Sequence, residues 1–147
     1  MTEPGTPGRD DPTPATEPVR KRVTAGIVRD ERGRILAARR APGEALPGKW
    51  EFPGGKIEGE ETPEACLARE FREELGVEIR VGRFVASSRF DYGHAHIELL
   101  AYEADHVAGE PSLTVHDRIE WIEPKHLGDW DFAPADLPII AAILGEG

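Results

Sequence analysis

At 147 residues with 39% hydrophobic content, the chain is long enough for one domain with a real core and too short for two large ones. Its formal net charge of −10 disfavours a nucleic-acid polymer or an anionic membrane as partner, because both would be repelled at long range. The single Cys66 excludes an intrachain disulfide and a cysteine-based zinc site; with no apolar run near the roughly 18 residues of a membrane span and no signal-like apolar core at the N-terminus, a cytoplasmic location is expected.

Residues 1 to 20, MTEPGTPGRDDPTPATEPVR, hold almost no apolar side chains to offset the entropy of ordering. They are expected to form a disordered tail ahead of one domain over residues 21–147. VTAGIVRD and RILAARR flank the turn-forming Asp30-Glu31-Arg32-Gly33 and predict a hairpin of two strands. The loop APGEALPGK then leads to WEF and the turn Pro53-Gly54-Gly55. Thr62 as N-cap, Pro63 at the first helical position and Gly76 as stop predict a helix from Pro63 to Leu75, with Leu67, Ala68, Phe71 and Leu75 as its apolar stripe. VEIRVGRFVASSRF and HAHIELLAYEAD alternate about Asp91-Tyr92-Gly93 as two strands, RIEWIEP is a shorter strand, and ADLPIIAAIL is a terminal helix. Strands on both sides of a central helix, closed by a second helix, imply an α/β fold with a mixed sheet covered on both faces.

The chemistry concentrates on the central helix. Glu70, Glu73 and Glu74 fall within an arc of about 100°, since positions i, i+3 and i+4 are neighbours on a helix surface. Like charges so placed repel, and a divalent cation gives the cluster a physical purpose. His94 and His96 alternate on a predicted strand, where a half-exposed face is the plainer reading against a metal pair. Trp50, Trp121 and Trp130 are read as packing residues.

Residues 55 to 77, GKIEGEETPEACLAREFREELGV, resemble the Nudix box, G-x5-E-x7-R-E-U-x-E-E-x-G-U with U a bulky apolar residue. Gly55, Glu61, Arg69, Glu70, Phe71, Glu73, Glu74, Gly76 and Val77 occupy every fixed position, Phe71 standing where an aliphatic residue is more common. A looser similarity to the MutT-like branch extends from Val23 to Leu144. The resemblance implies a Nudix fold, with Mg²⁺ (Mn²⁺ as substitute) held by Glu70, Glu73, Glu74 and the Gly54 carbonyl. It further implies that a water of lowered pKa attacks phosphorus while Glu70 or Glu73 takes its proton. Arg69 is expected to serve the catalytic group through an ion pair with Glu61, and Gly55, Glu61 and Gly76 to support the site structurally. The family's accessory acid before the late-strand Trp aligns with Val115, leaving Asp117, two residues on, as a replacement or a solvated loop acid.

The MutT-like resemblance implies a small-molecule partner, a nucleoside triphosphate cleaved to monophosphate and pyrophosphate, by a monomer or homodimer that cleans the nucleotide pool. Arg40, Phe52, Lys56 and Asp136 are its expected substrate-binding residues, with Asp136 either reading the base edge or capping a helix. An ionised Asp136 only accepts hydrogen bonds and so favours an amino group, cytosine N4 or adenine N6, whereas guanine or 8-oxoguanine is admitted if its ring presents N–H groups or if the acid is protonated. The alternatives are a Nudix hydrolase of ADP-ribose or dinucleoside polyphosphates, the latter suggested by Tyr92, and a non-catalytic domain that senses a nucleotide or binds a protein.

Overall fold

The computed structural model describes residues 19–145. The expected tail therefore lies outside the described residues, apart from Val19 and Arg20, which open the first strand.

Among the described residues, six strands and two helices follow one another as β1 (Val19–Val28), β2 (Ile35–Arg40), β3 (Trp50–Glu51), α1 (Pro63–Leu75), β4 (Glu78–Asp91), β5 (Ala95–Ala108), β6 (His116–Ile122) and α2 (Leu137–Gly145). Single 3₁₀ segments at Pro124–Asp129 and Pro134–Asp136 precede α2. One sheet has the order β1-β5-β4, with β1 parallel and β4 antiparallel to β5; the other has the order β3-β2-β6 and is antiparallel. No helix among the described residues is long and apolar enough to cross a membrane.

The expected β1–β2 hairpin is replaced by a hairpin-like turn between strands of different sheets. Asp30 organises that turn, its Oδ1 accepting the N–H groups of Arg32 and Arg34 at 2.9 and 2.8 Å, but only the Arg29–Ile35 bridge pairs the two strands. Thr24 to Val28 and Ile35 to Ala38 are buried on both faces, so each strand pairs along its length with a long-range partner, β1 with β5 and β2 with β6. His94 lies in the turn before β5 and not on a strand, and His96 sits 3.3 Å from Asp91, so the two histidines do not form the pair considered from sequence.

Alternation along β1 and β2 builds two cores. Ala25, Ile27, Ile35 and Ala37 pack with Ile139, Ile140 and Ile143 of α2, while Val28 and Leu36 pack with Leu67, Phe71 and Leu75 of α1. The strands thus lie between the two helices. The α1 boundaries agree with the sequence: Thr62 Oγ1 accepts the Ala65 N–H at 3.1 Å, and Gly76, at φ 69°, closes the helix in the left-handed region. At about 1.5–3 kcal/mol per fully buried large apolar side chain, Leu67, Phe71 and Leu75 hold α1 more firmly than either cap, worth about 1 kcal/mol.

Two connections position the site. Residues 53–57 run along β1, with the Gly26 N–H donating to Pro53 O at 2.8 Å, Thr24 to Gly55 O at 2.8 Å and Ile57 to Arg22 O at 2.9 Å. On the other side of β3, Trp50 donates to Asp131 O and Ala133 donates to Trp50 O, both at 2.9 Å, which brings the Pro134–Asp136 turn beside Phe52.

Candidate active site

The glycine turn fits closely against its neighbours. A Cβ on Gly54 would collide with the Thr24 carbonyl, and one on Gly55 with the Glu70 carboxyl group. Cys66 lies beneath, its Sγ 3.5 Å from both Thr24 Oγ1 and Gly55 O, and burial pushes its thiol up. The turn is therefore a cradle that leaves room for a carboxylate from the helix.

Arg69 joins the acids of this region. Its Nε and Nη2 grip Glu61 at 2.6 and 2.9 Å, its Nη1 reaches Glu70 and Glu73 at 3.0 Å each, and its Nη2 also donates to Lys56 O at 3.2 Å. The Arg69 hydrogen bonds hold the Glu61 carboxyl down at about 2, and those to Glu61 raise the guanidinium further. The Lys56 side chain is exposed.

The three helix glutamates divide between two surroundings. Glu73 is 60% exposed and turned to Arg69. Glu70 is buried, and Glu74 is half-buried facing both Glu70 and Glu51 of β3. Desolvation first, then repulsion from Glu70 and Glu51, pushes the Glu74 carboxyl up to about 8. Among the described residues no three His, Cys, Asp or Glu side chains already form a metal cage. The donor set nevertheless fits Mg²⁺: carboxylates from Glu70 and Glu74 crowd beside a backbone turn, hard oxygens whose mutual repulsion a divalent cation relieves.

Glu51 is a site residue that the sequence reading missed. Arg40 Nη1 donates to its two oxygens at 3.3 and 3.1 Å, and His116 Nε2 lies 2.8 Å from Oε2. His116 is itself buried, with Nδ1 left unpartnered. Arg40 also holds the Ala45 carbonyl and stands 3.6 Å from Glu44, so it ties the loop after β2 to the site. The sequence signal was one acid inside an apolar WEF triplet, but its partners come from 11 and 65 residues away.

Asp117 turns away from its buried neighbour His116 and pairs with Arg39, Nε to Oδ1 at 2.8 Å, which lowers its carboxyl. The structure does not bring it to the glutamates. Val115 contributes its carbonyl to the Ala41 N–H.

On the remaining side, Phe52 is 3% exposed and tilted against Phe132 at 5.0 Å. Asp136 is 5% exposed, and its carboxyl faces the Phe52 N–H. Desolvation and then Glu51 push this carboxyl well above the ordinary range, which favours its neutral form. The Pro134–Asp136 turn is preceded by Ala133, which has no capping side chain. Tyr92 Oη fills that place by accepting the Ala135 N–H at 3.1 Å.

Comparison with known proteins gives the same grouping. The NUDIX domain family matches residues 19–143. The CTP pyrophosphohydrolase of Escherichia coli is 38% identical over 122 residues, covering 83% of this chain and 89% of that protein. The 8-oxo-dGTP diphosphatase of the same organism is 35% identical over 121 residues, covering 82% and 94%. Among solved structures, that of the E. coli ORF135 protein superposes with a TM-score of 0.78 at 34% identity, covering 92% of this chain and 94% of that one. The MutT protein of Methanosarcina mazei shares the fold with a TM-score of 0.81 at 23% identity, covering 88% and 96%.

Proposed function

The chain belongs to the NUDIX family, and on that premise we propose that it is a MutT-like diphosphohydrolase that converts a nucleoside triphosphate and water to the monophosphate and pyrophosphate. The observation that carries this reading is the seating of Glu70 against the Gly54-Gly55 turn, with Glu74 beside it and Arg69 bridging to Glu73. Glu70, Glu74 and the turn would hold Mg²⁺, or Mn²⁺ in its place. When bound, the cation supplies charge neutralisation for the phosphates and acidification of a water. Glu73, exposed at the mouth of the cluster, is placed to take the proton of an attacking water, and Arg69 fixes its orientation. Glu61 keeps Arg69 in place through its paired hydrogen bonds.

The base is read by Asp136. In its neutral form this carboxyl presents a donor beside an acceptor, which accommodates both N4–H with N3 in cytosine and O6 with a ring N–H in 8-oxoguanine. We assign the substrate to these two classes on the likeness to the named E. coli relatives. The test is release of pyrophosphate against orthophosphate by purified protein with Mg²⁺ on 8-oxo-dGTP, dGTP, dCTP, CTP, 5-methyl-dCTP, ADP-ribose and diadenosine polyphosphates. Pyrophosphate from a cytosine or 8-oxoguanine triphosphate is expected. Turnover of ADP-ribose or dinucleotides alone overturns the substrate assignment, and absence of all turnover favours a binding domain.

A further inference from the structure

Ala135 immediately precedes Asp136, and both of its backbone polar groups are taken by side chains from the far end of the β4 arm. Ser88 Oγ donates to Ala135 O at 2.6 Å, and Tyr92 Oη accepts the Ala135 N–H at 3.1 Å. Ser88, Ala135 and Asp136 are all buried and Tyr92 is half-buried, so loss of the Ser88 hydroxyl leaves the Ala135 carbonyl buried without its partner, and loss of the Tyr92 hydroxyl leaves the Ala135 N–H without its own. Ala133 offers no capping oxygen and Pro134 has no N–H, which leaves the Ala135 N–H as an orphan donor of the first turn. The peptide plane that carries Asp136 is fixed at both ends, its C=O by Ser88 and its N–H by Ala133 O at 3.0 Å.

We propose that Ser88 and Tyr92 are positioning residues for base selection, a clamp from the β4 arm that sets where the Asp136 carboxyl stands against the nucleobase. The inference rests on the reading of Asp136 as the base-contacting acid. It gives Tyr92 a role distinct from the dinucleotide contact considered from sequence. A carboxyl that pairs a donor and an acceptor with a base edge discriminates only while it is held to within a few tenths of an ångström. A loosened turn lets it meet a wrong edge nearly as well as the right one.

The test measures kcat and KM on the best and second-best bases for Tyr92→Phe, Ser88→Ala, Asp136→Ala, and each clamp variant combined with Asp136→Ala. Each clamp variant is expected to lower the ratio of kcat/KM between the two bases by about three- to tenfold, the span of one net hydrogen bond. The loss is expected in KM, with kcat moving by less than about twofold, and the selectivity effect is expected to vanish in the Asp136→Ala background, which has no side-chain donor or acceptor. An equal loss on both bases overturns the proposal, as does a shift of the same size that persists with Ala at position 136. If Asp136→Ala changes the ratio while neither clamp variant does, the clamp alone is refuted. If Asp136→Ala leaves the ratio unchanged, the base-reading role fails and takes the clamp with it. Should Ser88→Ala fold poorly, Tyr92→Phe still decides, because it removes one oxygen and keeps the ring at its 4.5 Å contact with Phe90.

Discussion

Glu73 and Glu74 are neighbours in sequence but stand in different surroundings. Glu74 is crowded by Glu70 and Glu51, whereas Glu73 is open to solvent and bonded to Arg69. Replacing either by Gln is expected to lower turnover at least about a hundredfold, since on the proposed assignment Glu74→Gln removes a cation ligand and Glu73→Gln a proton acceptor. The two are separable by metal titration: Glu74→Gln should also raise the Mg²⁺ needed for half activation, and Glu73→Gln should not. Unchanged turnover in both variants would remove these assignments. Asp136 carries a second prediction, on stability. Its folded-state carboxyl lies above the unfolded value of 3.8, so the folded state holds a proton that the unfolded chain releases. Stability is therefore highest below the unfolded value and is lost as pH rises toward the folded one. Asp136→Asn, which cannot ionise, should gain stability relative to the parent as pH rises from 4 to 8 in chemical denaturation; a difference that stays flat across this range would mean that Asp136 is ionised in the folded protein.

At the scale of elements, α1 depends on a vacancy in β1. Phe71 fills the position of the Nudix box that is more often aliphatic, and a Cβ on Gly26 would lie 2.7 and 2.8 Å from its ring atoms. Gly26→Ala is expected to destabilise the fold by about 1–3 kcal/mol, and Phe71→Leu to recover part of that loss by withdrawing the ring, a coupling that urea denaturation of the two single variants and the pair would show. Strict additivity would mean that the two residues do not share the space. The same helix explains what could be read from sequence. Thr62, Pro63 and Gly76 are local signals and gave both ends of α1, just as Asp91 and Gly93 marked the β4–β5 turn. The β1–β2 connection carried an equally clear turn, yet turn chemistry says nothing about which strand each arm pairs with beyond it. Glu51, His116 and Ser88 escaped notice for the same reason: register and long-range pairing alone give them their partners.

For the molecule as a whole, the site is a local conflict that the rest of the fold sustains. Two cores on either side of the strands hold α1 and the glycine turn together, and so hold the Glu70, Glu74 and Glu51 carboxyl groups closer than their charges favour. The Glu74 carboxyl, raised to about 8 in the folded state from an ordinary 4.5, favours folding fully only below the lower value. That contribution is lost as pH rises through the interval and levels off above about 8. A cation should reverse the loss by replacing the proton, so Mg²⁺ binding is expected to weaken as pH falls below about 8 and to release protons as the cation binds. At about a hundred times its dissociation constant Mg²⁺ should add about 2.7 kcal/mol, or roughly 10 °C in Tm. Glu74→Gln makes the argument testable in both directions: without metal it should melt above the parent at pH 8 and match it near pH 4, and with metal its gain should shrink or disappear. Equal Mg²⁺ stabilisation of parent and variant would separate the crowded carboxylates from the metal, and would return their strain to an ordinary structural cost.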